Sequence, residues 1–213
     1  MTHSSRKTEW IVWGALGLTM LGILAAFIYS KVTGAGAAQI QPPLTTGLPP
    51  FVMTNQFDQV ITPDSLKGNV LLVDIIFTQC GGPCPKMTQR MAELQSRLPA
   101  KLPVKLVTIT TDPGHDSPAV LKRYGEKFGA NFDRWMFLTG TKTNLARLAR
   151  DGLKLVAEEI KPEDRVSPDD LFLHSTIFVL LDKQGRFRGS LDSAEEGFIS
   201  KASGAIRKLA SER

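Results

Sequence analysis

Two cysteines, Cys80 and Cys84, are the whole thiol inventory of this 213-residue chain, and they stand four apart in Phe77-Thr78-Gln79-Cys80-Gly81-Gly82-Pro83-Cys84-Pro85. A single pair rules out a disulfide-stapled miniprotein and any four-cysteine zinc or iron–sulfur site. An apolar strand pattern precedes the segment and a helical pattern follows it, so the pair falls on a strand-to-helix turn. In open α/β sheets, sites form at the carboxyl ends of strands. The unpaired N–H groups of a helix start also favour a thiolate. Gly81 and Gly82 permit a tight turn, and Pro83 and Pro85 stiffen it. Two sulfurs on such a turn can converge on one point, which is either a metal ion or each other. A purely stabilising disulfide over so small a loop gains little chain entropy, which favours a functional pair.

Two thiolates leave zinc's usual four-ligand set unfilled. Soft thiolates with one imidazole suit copper, which tolerates low coordination as Cu(I) and takes nitrogen as Cu(II). The chain has three histidines, His3, His115 and His174. His174 is the candidate ligand, because Leu171-Phe172-Leu173-His174-Ser175-Thr176 leads into a strongly apolar strand expected in the same sheet. Met87 lies one turn past Cys84 and offers a thioether, but Met91 and Leu94 continue its stripe and assign it to the core. Asp74 stands within a buried strand run. The loop Asp112-Pro113-Gly114-His115-Asp116 carries ligand-type side chains, although acidic turns are ordinarily just solvated.

The elements that must position these groups follow from periodicity. Residues 69–77 form a nearly continuous apolar, β-branched run, the pattern of a strand covered on both faces. Met87, Met91, Leu94 and Leu98 recur at helical spacing and predict a helix over 84–98. A second strand is expected at Val104–Thr110. Ser117 as N-cap and Pro118 at the first helical position open a helix through 128. A short strand at 135–138, a helix at 141–151 and a strand at 175–181 follow. That strand turns at Asp182-Lys183-Gln184-Gly185 into a partner at 186–190. The last helix, expected over 194–209, lines up Phe198, Ala202, Ala205, Ile206 and Leu209. Residues 51–61 read as a hairpin with Asn55-Gln56 near its turn. Strands alternating with helices predict an α/β sandwich.

Composition places this domain. Lys and Arg number 26 against 21 Asp and Glu, a net charge of +5 with no long basic run, so no nucleic-acid partner is expected. A hydrophobic share of 42% with 22% charged residues argues against disorder. Residues 10–30 carry no charge and place Trp10, Trp13 and Tyr29 near the ends. As a helix the run spans roughly 30 Å, the thickness of a bilayer's hydrocarbon layer. It exceeds the roughly 7–15 apolar residues of a signal peptide, which favours an anchor over a cleaved signal despite the small-x-small Ala35-Gly36-Ala37. Arg6 and Lys7 before it and Lys31 after it favour a cytoplasmic N-terminus. The expected organisation is a cytoplasmic tail (1–9), a transmembrane anchor (10–30), a flexible linker rich in Gly, Ala, Pro and Thr (31–50) and a folded domain (51–213). That domain would lie on the periplasmic side of an inner membrane, or in an equivalent space, where a Cys80–Cys84 disulfide can form.

The motifs also occur in a familiar order. Thr78-x-Cys80-x-x-x-Cys84-Pro85 is followed by Thr110-Thr111-Asp112-Pro113, by Trp135-Met136-Phe137-Leu138-Thr139-Gly140, and by His174-Ser175 before an apolar strand. This order resembles the Sco/SenC family over about residues 45–210. The resemblance implies a thioredoxin-like three-layer sandwich with an N-terminal hairpin, preceded by a single transmembrane helix. It implies copper, as Cu(I) or Cu(II), held by Cys80, Cys84 and His174, with the cysteine pair cycling through a disulfide. It further implies a metallochaperone or thiol reductant in assembly of the copper site of cytochrome c oxidase. The partner would be the oxidase subunit that carries that site or another cuproprotein, with a thiol reductase serving the pair. Three positions depart from the family pattern: Leu173 replaces a frequent acidic residue, Gly81-Gly82-Pro83 separates the cysteines, and Phe77 replaces a tyrosine. The alternative is a thiol–disulfide oxidoreductase of the cell envelope with Cys80 and Cys84 as its redox pair, although dedicated redox proteins use the shorter Cys-x-x-Cys. The thiol-peroxidase pattern Pro-x-x-x-Thr-x-x-Cys is absent.

Overall fold

The structure is a computed structural model that describes residues 4–34, 40–43, 47–155 and 176–212. The chain divides into two compact units, Met1–Ala37 and Ala38–Arg213. The first is built on helix α1, Ser4–Gly34, whose 31 residues span roughly 46 Å at about 1.5 Å each. Its stretch Glu9–Ala26 is long and apolar enough to cross a membrane, with Trp10, Leu18 and Ile23 all exposed.

The second unit holds a mixed sheet. Among the described residues it has seven strands in the order β2-β1-β5-β4-β3-β6-β7. These are β1 Met53–Asn55, β2 Val60–Ile61, β3 Val70–Ile76, β4 Val104–Thr110, β5 Trp135–Thr139, β6 Ile177–Leu181 and β7 Phe187–Asp192. Strands β3, β4 and β5 run parallel, in register Asp74↔Thr108 and Thr108↔Phe137. The outer pairs β1–β2, β1–β5, β3–β6 and β6–β7 are antiparallel. The three parallel strands therefore end on one edge, and the loops after β3 and β4 emerge there side by side.

Helices cover both faces. Helix α2, Cys84–Arg97, α3, Pro118–Lys127, and a C-terminal helix, Phe198–Ser211, lie on one side. Val70, Leu72 and Ile76 of β3 point into that layer with Met87, Met91, Leu94, Leu121, Trp135, Phe178 and Ile206. The alternate β3 residues Leu71 and Val73 point the other way, toward Val107, Leu138, Leu145 and Leu148. There a short helix α4, Lys142–Arg147, supplies Leu145; the C-terminal helix is α5. Alternate residues of one strand feeding two apolar layers explain why β3 reads as an unbroken apolar run.

Most expected elements form close to their expected bounds, and two differ for local reasons. Helix α5 begins at Phe198 rather than 194, because Gly197 is left-handed at φ 77° and Asp192 caps the preceding turn by accepting from Ala194 N at 2.9 Å. The helix expected over 141–151 is α-helical only to Arg147 and widens into a π turn over Leu148–Gly152. Gly152 sits where an added Cβ would meet Leu148 Cδ1 at 2.8 Å and Pro49 Cδ at 2.9 Å, so the chain passes too closely for a larger residue. One short stretch of the expected linker packs on the folded unit. Gln41 N donates to the Arg188 carbonyl at 2.7 Å, and Ile40 packs on the α2/α5 layer.

Candidate metal centre

The cysteine turn grows from the end of β3. Cys80 N donates to the Phe77 carbonyl at 3.2 Å, which closes the turn over Thr78-Gln79. Pro83 precedes the first residue of α2, Cys84, and its carbonyl accepts from Met87 N at 3.0 Å. Thr88 donates to the Cys84 carbonyl at 2.9 Å and meets the Tyr124 hydroxyl at 2.9 Å, which ties the start of α2 to α3. Both cysteines are thiols in this structure, 6% and 4% exposed, and share the apolar layer of Met87 and Met91. Gly82 N donates to Cys80 Sγ at 3.4 Å.

One expectation about this turn, that the helix start favours a thiolate, needs correction. The turn itself forms without left-handed glycine: neither Gly81 nor Gly82 has positive φ, and a Cβ at Gly81 would meet nothing within 4 Å. The glycines instead leave the solvent side of the turn bare of side chains. Nor does the helix start lower the Cys84 thiol. Burial pushes its pKa up, well beyond the ordinary thiol range, and the adjoining Cys80 thiol adds to the shift, as does the negative charge of Asp74. The Phe77 backbone works in the opposite direction but does not prevail. A helix start is worth about 1 kcal/mol to an anion, whereas burying an unpaired charge costs several.

Asp74 is fully buried on the cysteine side of β3. Thr108 donates to its Oδ1 at 2.7 Å, while Oδ2 has no hydrogen-bond partner among the described residues. Burial pushes its pKa up to about 7, against the Thr108 bond, which pulls it down.

A second polar group supports the turn, a role that the sequence did not indicate for its loop. Asp116, fully buried after β4, accepts from Thr78 N at 3.0 Å and from the hydroxyls of Thr78 and Thr110. His115 Nδ1 lies 3.0 Å from Asp116 Oδ1. The Asp112–Asp116 loop is thus a brace for the cysteine turn rather than a solvated acidic turn. A threonine near the end of each of two adjacent strands, with an aspartate after the second, was the available signal.

Among the described residues, no group of three or more His, Cys, Asp or Glu comes together to hold a metal. The described chain contributes two soft sulfurs on one turn, a set that fits Cu(I) and leaves at least one position to another ligand. His174, Leu173 and Ser175 lie outside the described residues. Met87 is buried in the core layer, as its stripe predicts.

A mixed α/β sheet flanked by helices, with a dithiol turn where its central strand meets a helix, defines a thioredoxin-like protein of the Sco type. The SCO1/SenC family pattern matches residues 40–211, and the chain belongs to that family. It is similar to the SCO1 protein homolog of Bacillus subtilis (strain 168), with 33% identity over 167 residues covering 78% of this chain and 83% of the relative. Among solved structures it is similar to BsSco, described as a member of the Sco family of cytochrome c oxidase assembly proteins with a disulfide switch. The TM-score is 0.69 at 30% identity, over 83% of this chain and 100% of that one. It shares its fold with copper-bound ScoI of Bradyrhizobium japonicum, at a TM-score of 0.64 and 23% identity over 77% of this chain and 99% of that one.

Proposed function

We propose that the protein is a membrane-anchored copper-binding protein that serves as metallochaperone or thiol reductant in assembly of the copper site of cytochrome c oxidase. Copper is its cargo, taken by Cys80, Cys84 and His174. The observation that carries this reading is the buried dithiol on the turn from β3 to α2, in a chain whose family includes a copper-bound member and an oxidase assembly factor with a disulfide switch. Residues 10–30 anchor it in the inner membrane with residues 1–9 in the cytoplasm. Residues 31–50 tether the domain of 51–213 on the periplasmic side, where it meets the oxidase subunit or another cuproprotein.

The chemistry follows from the thiols. Copper binding displaces both thiol protons, and the dry, apolar setting then favours the neutralised metal–thiolate unit over bare thiolates. Oxidation joins the two sulfurs, releases two electrons and two protons, and leaves no thiolate for copper. A thiol reductase resets the pair. The same exchange, run toward a client disulfide, reduces the client and leaves Cys80–Cys84 oxidised. Burial of both sulfurs and the upward push on Cys84 argue against a dedicated fast oxidoreductase.

Copper titration of the reduced full-length protein in detergent tests this. Cu(II) should produce an intense thiolate-to-copper absorption that is lost in Cys80→Ser and Cys84→Ser. His174→Ala should weaken Cu(II) far more than Cu(I). Equal Cu(II) affinity in His174→Ala and wild type would remove His174 from the ligand set. Rapid insulin reduction by copper-free protein would favour the oxidoreductase instead.

A further inference from the structure

His115 lies on the same sheet edge as the cysteine turn, because the loops after the parallel strands β3 and β4 leave side by side. Its side chain is 42% exposed, yet one of its nitrogens is held. Nδ1 sits 3.0 Å from Oδ1 of Asp116, a carboxylate with no exposed surface. The remaining contacts of Asp116 come from donors, namely the backbone and hydroxyl of Thr78 and the hydroxyl of Thr110. A carboxylate oxygen accepts, so the imidazole places its proton on Nδ1, and a neutral ring then carries its lone pair on Nε2. That is the carboxylate–imidazole arrangement that orients metal-binding histidines, with the ring nitrogen opposite the carboxylate presented to the ion. Asp116 binds Thr78, two residues before Cys80, so His115 and the cysteine turn are fastened to one anchor. Among the described residues His115 does not join the cysteines in a cluster of three ligand-type side chains. Gly81 and Gly82 are exposed and put no side chain between the turn and solvent.

We propose that His115 is an auxiliary ligand at the rim, which takes Cu(II) from solution through Nε2 before the Cys80–Cys84 pair does. This rests on the copper reading above. The transfer is a ligand exchange with no change of oxidation state. The copper–nitrogen bond to His115 breaks as copper–sulfur bonds form, and the two thiol protons go to solvent. An imidazole is a borderline donor that binds Cu(II) readily, and weak capture at an exposed nitrogen suits a site that must release the ion. The two sulfurs are buried, whereas the imidazole is open to solvent, so the first contact with an ion in solution falls to His115.

The test has two arms. In stopped-flow mixing of reduced full-length protein in detergent with aqueous Cu(II), His115→Ala should slow the rise of the thiolate-to-copper absorption at least fivefold. His115→Gln, whose amide can still donate to Asp116, should be equally slow. An unchanged rate in His115→Ala would overturn the proposal. A wild-type rate in His115→Gln would also overturn it, by showing that His115 only braces Thr78. The second arm uses the Cys80→Ser/Cys84→Ser protein with labelled histidine. Substoichiometric Cu(II) should broaden the His115 ring resonances, and equal or absent broadening relative to His3 would overturn the proposal. A wild-type protein with no thiolate-to-copper absorption would defeat the functional reading, while the second arm would still decide His115.

Discussion

Thr108 on β4 donates its hydroxyl to Asp74 Oδ1 on β3 at 2.7 Å, across the parallel register that pairs the two residues. Trp135 on β5 donates Nε1–H to the same hydroxyl oxygen at 2.9 Å, so a polar relay crosses three strands inside the apolar layer. The relay satisfies one oxygen of Asp74 and leaves the other without a partner among the described residues. An anion there lacks the donors that would offset its burial.

Stability should therefore depend on the charge of Asp74. Its pKa is raised from 3.8 to about 7, so the folded state holds the proton more tightly than the unfolded state. Stability should fall as pH rises from about 4 to about 7, then level off at a cost on the order of 4 kcal/mol. Asp74→Asn cannot ionise. Its unfolding free energy relative to wild type, read by urea titration, should rise between about pH 4 and pH 8 by an amount of that order. An offset that stays constant with pH would show that Asp74 does not titrate in this window.

The cysteine pair should be sluggish toward electrophiles. Only the thiolate reacts, and burial pushes Cys84 away from that form. Alkylation of the native reduced protein by iodoacetamide near neutral pH should be at least about tenfold slower than in urea. Mass spectrometry of quenched samples reads both sites. Native reactivity equal to that in urea would mean that the sulfurs are far more accessible than 6% and 4% exposure implies.

Gly125 in α3 offers a sharper test of packing. At an exposed helix position Gly→Ala gains about 1 kcal/mol. Here an added Cβ would sit 2.7 Å from Phe137 Cε2 and 2.8 Å from Phe132 Cε1, rings already set edge to face at 6.2 Å. The sign should reverse, with Gly125→Ala costing about 1–3 kcal/mol in denaturant titration. A more stable variant would show that the two rings can move aside.

Much of the scaffold was legible because its signals are local. Ser117 and Pro118 mark the start of α3, where Ser117 Oγ accepts from Val120 N. The stripe Met87, Met91, Leu94 is buried in α2 as its spacing predicts. The late start of α5 turns on the left-handed Gly197, a conformation that periodicity does not register. The role of Asp116 was illegible for another reason, since its partner Thr78 is 38 residues away.

Residue order alone determined that a dithiol turn would sit between an apolar strand and an amphipathic helix, since strand period, helix stripe and turn residues are all encoded within a few positions. Tertiary structure alone decided what surrounds the sulfurs. Parallel pairing of β3 with β4 brings Asp116 and His115 beside Thr78 and sets Thr108 against Asp74. The same packing removes water from Cys84, so that burial outweighs the helix start and raises the thiol pKa. Charge and solvation depend on distances through space, and those come into being only when distant segments fold against one another.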